Sequence, residues 1–265
     1  MDERLLGRIQ LPPTIRSLLE HRLVEKDGEG ESPTSVFRLS FANEILYLKL
    51  VHNKYEPTSY SVEREKDVLI WLSGRLPVPR VIDYAETDDH QFLVMSQVEG
   101  RRLADLRDVP ASEVVRLFAE AIRQVQCVGV NDCPFDSCVD VRLSELKYLL
   151  DAGLAATEDL RDGEVPFDDP LELYQHLSAH RPEQQVVFSH GDMSDGNLFI
   201  DNSPRLGYVD WGRGGKADIW CDIAHAMQNI EAELGSQHVD EFFELLGMSP
   251  DWDRIRYHLW LDELF

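Results

Sequence analysis

One stretch limits what this chain can fold into more than any other. Residues Phe188–Ile200 read Phe-Ser-His-Gly-Asp-Met-Ser-Asp-Gly-Asn-Leu-Phe-Ile. An apolar run, Val186–Ser189, enters a polar loop holding Asp192, and a second run, Leu198–Asp201, leaves it just after Asn197. A third, Arg205–Val209, follows the turn-forming Asp201–Pro204 and ends at Asp210-Trp211-Gly212. Short apolar runs rich in β-branched and aromatic residues and bounded by Gly, Ser, Asn and Pro are strand signals. Folded as a hairpin, the segment directs Asp192, Asn197 and Asp210 towards one point, although the flanking sequence has helical periodicity.

Those three side chains suit phosphoryl transfer. A carboxylate accepts or orients the proton of an attacking hydroxyl, and an amide and a second carboxylate are hard oxygen donors for Mg2+. In this reading Asp192 is catalytic, and Asn197 and Asp210 bind the metal. The order His-x-Asp-x-x-x-x-Asn, then Asp-x-Gly, is the kinase arrangement. Each residue alone would be an ordinary polar loop position; in this order and between strands the set is specific. His190 has no partner with metal-ligand spacing and reads as a loop-stabilising residue.

The rest of the chain fits an α+β, two-lobed, protein-kinase-like fold, with a small sheet-rich N-lobe and a larger helical C-lobe. Strands are expected over His21–Lys26, Thr34–Ser40, Glu44–Val51 and Gln91–Gln97, around one helix over Tyr60–Ser73. From about Gly100 the pattern is helical. In Ala111–Val128, residues Val114, Leu117, Phe118, Ala121, Ile122 and Val125 recur at helical spacing. A final helix is expected from Pro250, with Ser249 as N-cap. The division is a nucleotide-binding lobe over residues 1–97, a hinge near 95–100, and a catalytic and acceptor-binding lobe over 98–265.

A second site candidate comes from periodicity. Along Glu44–Val51 the residues Ile45, Tyr47, Lys49 and Val51 share one face. A lysine between apolar neighbours is either an edge residue or a buried cation with a partner. The next helix carries that partner: Glu65 lies on the apolar stripe of Val62, Leu69 and Leu72, whereas Glu63 lies off it. A carboxylate on a buried face needs a cation, so Lys49 and Glu65 read as the ion pair that aims a lysine at the α- and β-phosphates of ATP.

With these residues in view, the chain resembles the aminoglycoside phosphotransferase family. The resemblance rests on His190-Gly191-Asp192, with Gly where protein kinases carry Arg, and on Asp210-Trp211-Gly212-Arg213-Gly214-Gly215-Lys216-Ala217-Asp218-Ile219-Trp220-Cys221-Asp222-Ile223-Ala224. It runs from Lys49 to Leu261-Asp262-Glu263-Leu264-Phe265, an ending similar to that of the 3′-phosphotransferase branch. The resemblance implies ATP-dependent phosphorylation of the 3′-hydroxyl of aminoglycosides of the kanamycin and neomycin class, and hence antibiotic resistance. It further implies that Tyr47 stacks on adenine, that Met95 to Val98 form a hinge whose backbone binds the adenine edge, and that Ser32 contacts phosphate. The loop Gly28–Ser35 lacks Gly-x-Gly-x-x-Gly, and its Glu29 and Glu31 are expected to face solvent.

For the acceptor, the resemblance implies Asp159 and Asp162 from the acidic stretch Thr157–Glu164, together with Asp262, Glu263 and the terminal carboxylate of Phe265. Here composition matters. With 49 acidic against 26 basic residues the formal net charge is −23, which repels nucleic acid and anionic lipid and attracts polycations. No apolar run approaches the ~18 residues of a membrane span, and Met1-Asp2-Glu3-Arg4 has no leader-like apolar core. Cys127, Cys133, Cys138 and Cys221 have no Cys-x-x-Cys spacing, so reduced thiols and a cytoplasmic location are expected. Nothing in the pattern specifies an oligomeric state. Two alternatives stay open: a kinase of another small cationic or sugar-like molecule, and a non-catalytic nucleotide-binding scaffold. A protein kinase is disfavoured by Gly191 and by the lack of Ala-Pro-Glu after Asp210.

Overall fold

Alternation along strand β3 (Glu44–His52) sorts its side chains as expected. Leu46, Leu48 and Leu50 join Phe37, Leu39, Phe92, Val94 and Ile15 in a buried cluster, leaving Tyr47 and Lys49 on the opposite face. The structure, a computed structural model, describes residues 6–27, 32–156 and 165–265. The chain divides into two compact units, Met1–Glu99 with Tyr208–Gly212, and Gly100–Gly207 with Arg213–Phe265.

The first unit is built on an antiparallel sheet in the order β1-β2-β3-β5-β4, comprising β1 (Leu23–Lys26), β2 (Ser35–Phe41), β3, β4 (Val81–Glu86) and β5 (His90–Ser96). Helix α1 (Pro13–Leu19) precedes the sheet, and α2 (Val62–Leu72) connects β3 to β4. Helix α2 is shorter than the expected Tyr60–Ser73. The Ser61 hydroxyl accepts from Arg64 N at 3.4 Å and caps it, and Ser73 leaves helical geometry. Strand β4 has no counterpart in the sequence expectations. Its residues are mixed in polarity, and a register shift between Val81 and Asp83 breaks the period-two signal.

The second unit is mainly helical: α3 (Ala111–Gln126), α4 (Val139–Ala152), α5 (Pro170–Ala179), α6 (Trp220–Leu234), α7 (Val239–Leu246) and α8 (Trp252–Asp262). Helix α3 buries Val114, Leu117, Phe118, Ala121, Ile122 and Val125, the stripe read from its periodicity. Helix α8 starts later than expected. Asp251, not Ser249, is its N-cap, with a carboxylate accepting from Arg254 N at 3.2 Å. It ends at Asp262. Leu261 and Leu264 pack with Leu143, Leu146, Leu173 and Leu177.

The strands around Asp192 belong to two small sheets. β7 (Val186–Ser189) pairs antiparallel with β10 (Gly215–Asp218), which sequence reading missed. β8 (Leu198–Ile200) lies between β6 (Arg101–Arg102) and β9 (Leu206–Tyr208), so β8 and β9 form the expected hairpin. The Asp201 carboxylate accepts from Ser203 N and Arg205 N and closes its turn.

Candidate active site

In the first unit, α2 sets Glu65 against Lys49 of β3. The Lys49 Nζ donates to both Glu65 oxygens at 2.9 Å and to Asp210 Oδ1 at 2.9 Å. Lys49 is 7% exposed and Glu65 3%, whereas the Asp210 side chain is half-exposed. Burial works against the Lys49 charge, but Asp210 and Glu65 more than offset it and raise its pKa, so the ammonium persists. Burial, reinforced by Asp210, pushes the Glu65 carboxyl up despite the pull of Lys49. One ammonium thus serves two carboxylates.

Backbone contacts hold Asp210 in this arrangement. Trp211 N donates to Glu65 Oε1 at 3.3 Å and Arg64 Nε donates to the Gly212 carbonyl at 2.9 Å. A Cβ at position 212 would lie 2.4 Å from the Ser59 carbonyl oxygen, which explains the glycine in Asp-Trp-Gly. Asp210 itself has φ 64°, a left-handed conformation that Asp tolerates better than most side chains.

Across β3 and β5, Tyr47 stands opposite Met95 and Lys49 opposite Leu93, so the residue assigned to stack on adenine and the first hinge residue are cross-strand neighbours. Met95 is buried and Val98 half-buried. Ser32 is exposed, and its hydroxyl accepts from Thr34 N at 3.3 Å. Residues 28–31, with Glu29 and Glu31, lie outside the described residues.

The second unit holds Asp192 and Asn197. The Asn197 Nδ2 donates to Asp192 Oδ2 at 2.8 Å and to the Asp192 carbonyl at 3.0 Å, which orients the carboxylate. Upstream, a residue that sequence reasoning did not single out builds the loop. Asp222, wholly buried in the first turn of α6, accepts from Ser189 Oγ at 2.8 Å, His190 N at 2.9 Å and Gly191 N at 2.8 Å. Its position four residues before Ala226 and eight before Ile230, both buried and apolar, carried the same buried-carboxylate signal that identified Glu65. Gly191 has φ 85°, and a Cβ there would lie 2.6 Å from that of Arg213, so position 191 has no room for the arginine of protein kinases. His190 is fully buried, as a loop-stabilising residue should be.

Of the acceptor candidates, Asp159 and Asp162 lie outside the described residues. The tail residues are described and are less purely acidic than expected. The Asp262 carboxylate accepts from Arg213 Nη1 and lies 3.5 Å from Arg142 Nη2 and 3.6 Å from His225 Nε2. Burial would raise its pKa, but Arg213, His225 and Arg142 bring it below the ordinary carboxylate value. Glu263 is half-buried at the end of α8, and the Phe265 ring lies 3.6 Å from the Arg142 guanidinium carbon. Arg142 gave no motif or resemblance signal.

The chain is similar to known proteins along nearly its whole length. A profile of the phosphotransferase enzyme family matches residues 24–258. The aminoglycoside 3′-phosphotransferase of Enterococcus faecalis is 40% identical over 264 residues, covering 98% of this chain and all of the relative. Among solved structures, an aminoglycoside-3′-phosphotransferase of type VIII superposes with TM-score 0.83 at 22% identity, covering 95% of this chain and 97% of that one. An aminoglycoside phosphotransferase from Streptomyces rimosus in complex with ADP and streptomycin gives TM-score 0.76 at 24% identity, covering 94% and 95% of the two chains.

Proposed function

Because the chain belongs to the phosphotransferase enzyme family, in its aminoglycoside 3′-phosphotransferase branch, we propose that it transfers the γ-phosphoryl group of ATP to the 3′-hydroxyl of aminoglycosides. The observation that carries the reading is the buried Lys49 ammonium, paired with Glu65 and reaching Asp210. A cation held by one buried carboxylate is oriented for phosphate oxygens. Nucleotide-bound relatives support ATP as donor; the Streptomyces rimosus enzyme was solved with ADP.

In this reading Tyr47, Met95 and Val98 seat adenine, Ser32 and Lys49 meet the phosphates, and Asp192 takes the proton of the acceptor hydroxyl. The acceptor oxygen forms its bond to the γ-phosphorus as the bond to the β–γ bridging oxygen breaks. ADP leaves with that electron pair, and Asp192 returns its proton to solvent. Asp210 and Asn197 are assigned to magnesium, to which each would offer a hard oxygen donor. Bound there, Mg2+ would offset phosphate charge. Asp159, Asp162, Asp262, Glu263 and Phe265 are assigned to the acceptor, whose ammonium groups carboxylates would meet in charge-assisted hydrogen bonds.

The enzyme acts in the cytoplasm, where ATP is available, and protects its host from the drug. Among the described residues no helix is long and apolar enough to cross a membrane. The test is incubation of purified protein with ATP, Mg2+ and a panel of aminoglycosides, choline and macrolides, with NMR location of the phosphate. Phosphate on the 3′-oxygen is expected. Transfer only to non-aminoglycosides, or hydrolysis without transfer, would overturn the assignment.

A further inference from the structure

Arg142 sits on α4, yet its contacts lead to the end of the chain. It is 8% exposed. Its Nη1 donates to Glu145 Oε2 at 3.2 Å, one helical turn on, and Nη2 lies 3.5 Å from Asp262 Oδ1. Its guanidinium carbon lies over the Phe265 ring, 3.6 Å from the ring centre. Arg213 approaches the same two residues, bonding the Asp262 carboxylate and lying 5.6 Å from the Phe265 ring. Burial and the neighbouring Arg213 both disfavour the Arg142 charge, so plain packing would be better served by Leu or Met. A guanidinium, unlike an apolar side chain, can satisfy a carboxylate with its edge while stacking an aromatic ring on its face.

The tail is therefore held on two sides. Leu264 is fully buried in the apolar cluster, and its carbonyl accepts from Ala156 N at 3.3 Å. Those contacts set how deeply the tail docks. Arg142 contacts the residues on either side of Glu263 and Leu264, and so sets the direction in which they face.

We propose that Arg142 is a positioning residue of the acceptor site: it binds no substrate, and through Asp262 and Phe265 it holds the tail that contacts the aminoglycoside. The proposal rests on the acceptor reading above. It follows that the tail needs the guanidinium specifically, and that Arg142 and Phe265 act as one unit.

The experiment compares Arg142→Met, Arg142→Lys, Phe265→Ala and the double variant Arg142→Met/Phe265→Ala, measuring KM for kanamycin and for ATP. Arg142→Met is expected to raise the kanamycin KM about tenfold and leave the ATP KM within about twofold, because only one substrate uses the tail. The double variant should be no worse than the poorer single one, since coupled residues are non-additive. Arg142→Lys keeps the charge but loses the fork, so its rise should be intermediate, and it replaces the Met variant should that one not fold. An unchanged kanamycin KM, or effects that multiply, would overturn the proposal. A purely structural role would lower the active fraction and kcat without moving KM.

Hydrogen exchange of the peptide spanning residues 259–265, without substrate, separates this proposal from the functional reading. Faster exchange there in Arg142→Met, with α3 unchanged, is expected, and unchanged exchange refutes the tether. If the wild type modifies no aminoglycoside yet exchange responds, the functional assignment fails while the tether holds.

Discussion

Two buried carboxylates, Glu65 in the first unit and Asp222 in the second, solve the same physical problem in different ways. Glu65 is neutralised by an ammonium, both partners projecting from regular elements, a strand and a helix. Among the described residues no cation pairs with Asp222; a hydroxyl and two backbone N–H groups bond it. Charge pairing keeps a lysine ionised and aimed, and such a pair can be asked to meet phosphate. Dipole pairing fixes the path of irregular backbone, and here that path ends at Asp192. The first carboxylate holds a cation and the second shapes a loop.

That contrast predicts separable failures, the largest beside the loop. Asp192→Ala should lower kcat about 10²–10⁴-fold, the usual value of a positioned base, while ATP affinity stays nearly unchanged. Steady-state kinetics with equilibrium nucleotide titration measures both, and a variant keeping most of its kcat would remove Asp192 from the chemistry. Asp222→Ala should come next. It strands up to three donors, and each unsatisfied buried group costs about 1–3 kcal/mol. Urea unfolding should show the loss, with kcat falling further than the ATP KM rises. Equal damage to both kinetic constants would mean that Asp222 does not serve the loop in particular.

Glu65→Gln should be milder and of opposite character. It keeps the shape but removes the charge that holds Lys49, so the ATP KM should rise roughly tenfold, about 1.4 kcal/mol, with little change in the aminoglycoside KM. A change confined to the aminoglycoside would break the comparison. The smallest effect concerns Asp262. Its folded pKa is depressed, so its stabilising contribution is complete above the ordinary carboxylate range near pH 4. That contribution is lost as pH falls through the lowered folded value. The Tm difference between wild type and Asp262→Asn should therefore be constant from pH 7 to pH 5 and close in stronger acid. A gap that widens on acidification would reverse the sign.

The same contrast explains what was legible in the sequence. Lys49 and Glu65 lie on elements whose periods, two and 3.6, order the side chains by face, and so a buried pair could be read from spacing alone. Asp192, Asn197 and Asp210 sit on irregular backbone without a period and were legible only as an ordered motif. Strands β4 and β10 were missed because Asp83, Glu86, Gly215 and Lys216 have low strand preference, and pairing with β5 and β7 overrides it. The N-cap of α8 was misplaced because Ser249-Pro250 imitates a helix start two residues before Asp251 provides one. Arg142 was invisible because Asp262 and Phe265, the partners that tie it to the tail, are more than a hundred residues away in the chain, and no local pattern encodes such a contact.

The short segment Tyr208–Gly212 packs with residues that come long before it, although the chain on either side belongs to the second unit. During synthesis the N-terminal part therefore emerges from the ribosome with its sheet complete but its Lys49 cluster missing Asp210. That cluster cannot close until the strand and turn around Gly212 have also emerged. A nascent chain stalled before that point would hold every strand of the five-stranded sheet and no finished Lys49 cluster. A gene fragment ending at residue 99 would do the same, and a library that recombines relatives at that boundary would have to carry Tyr208–Gly212 along with the first half.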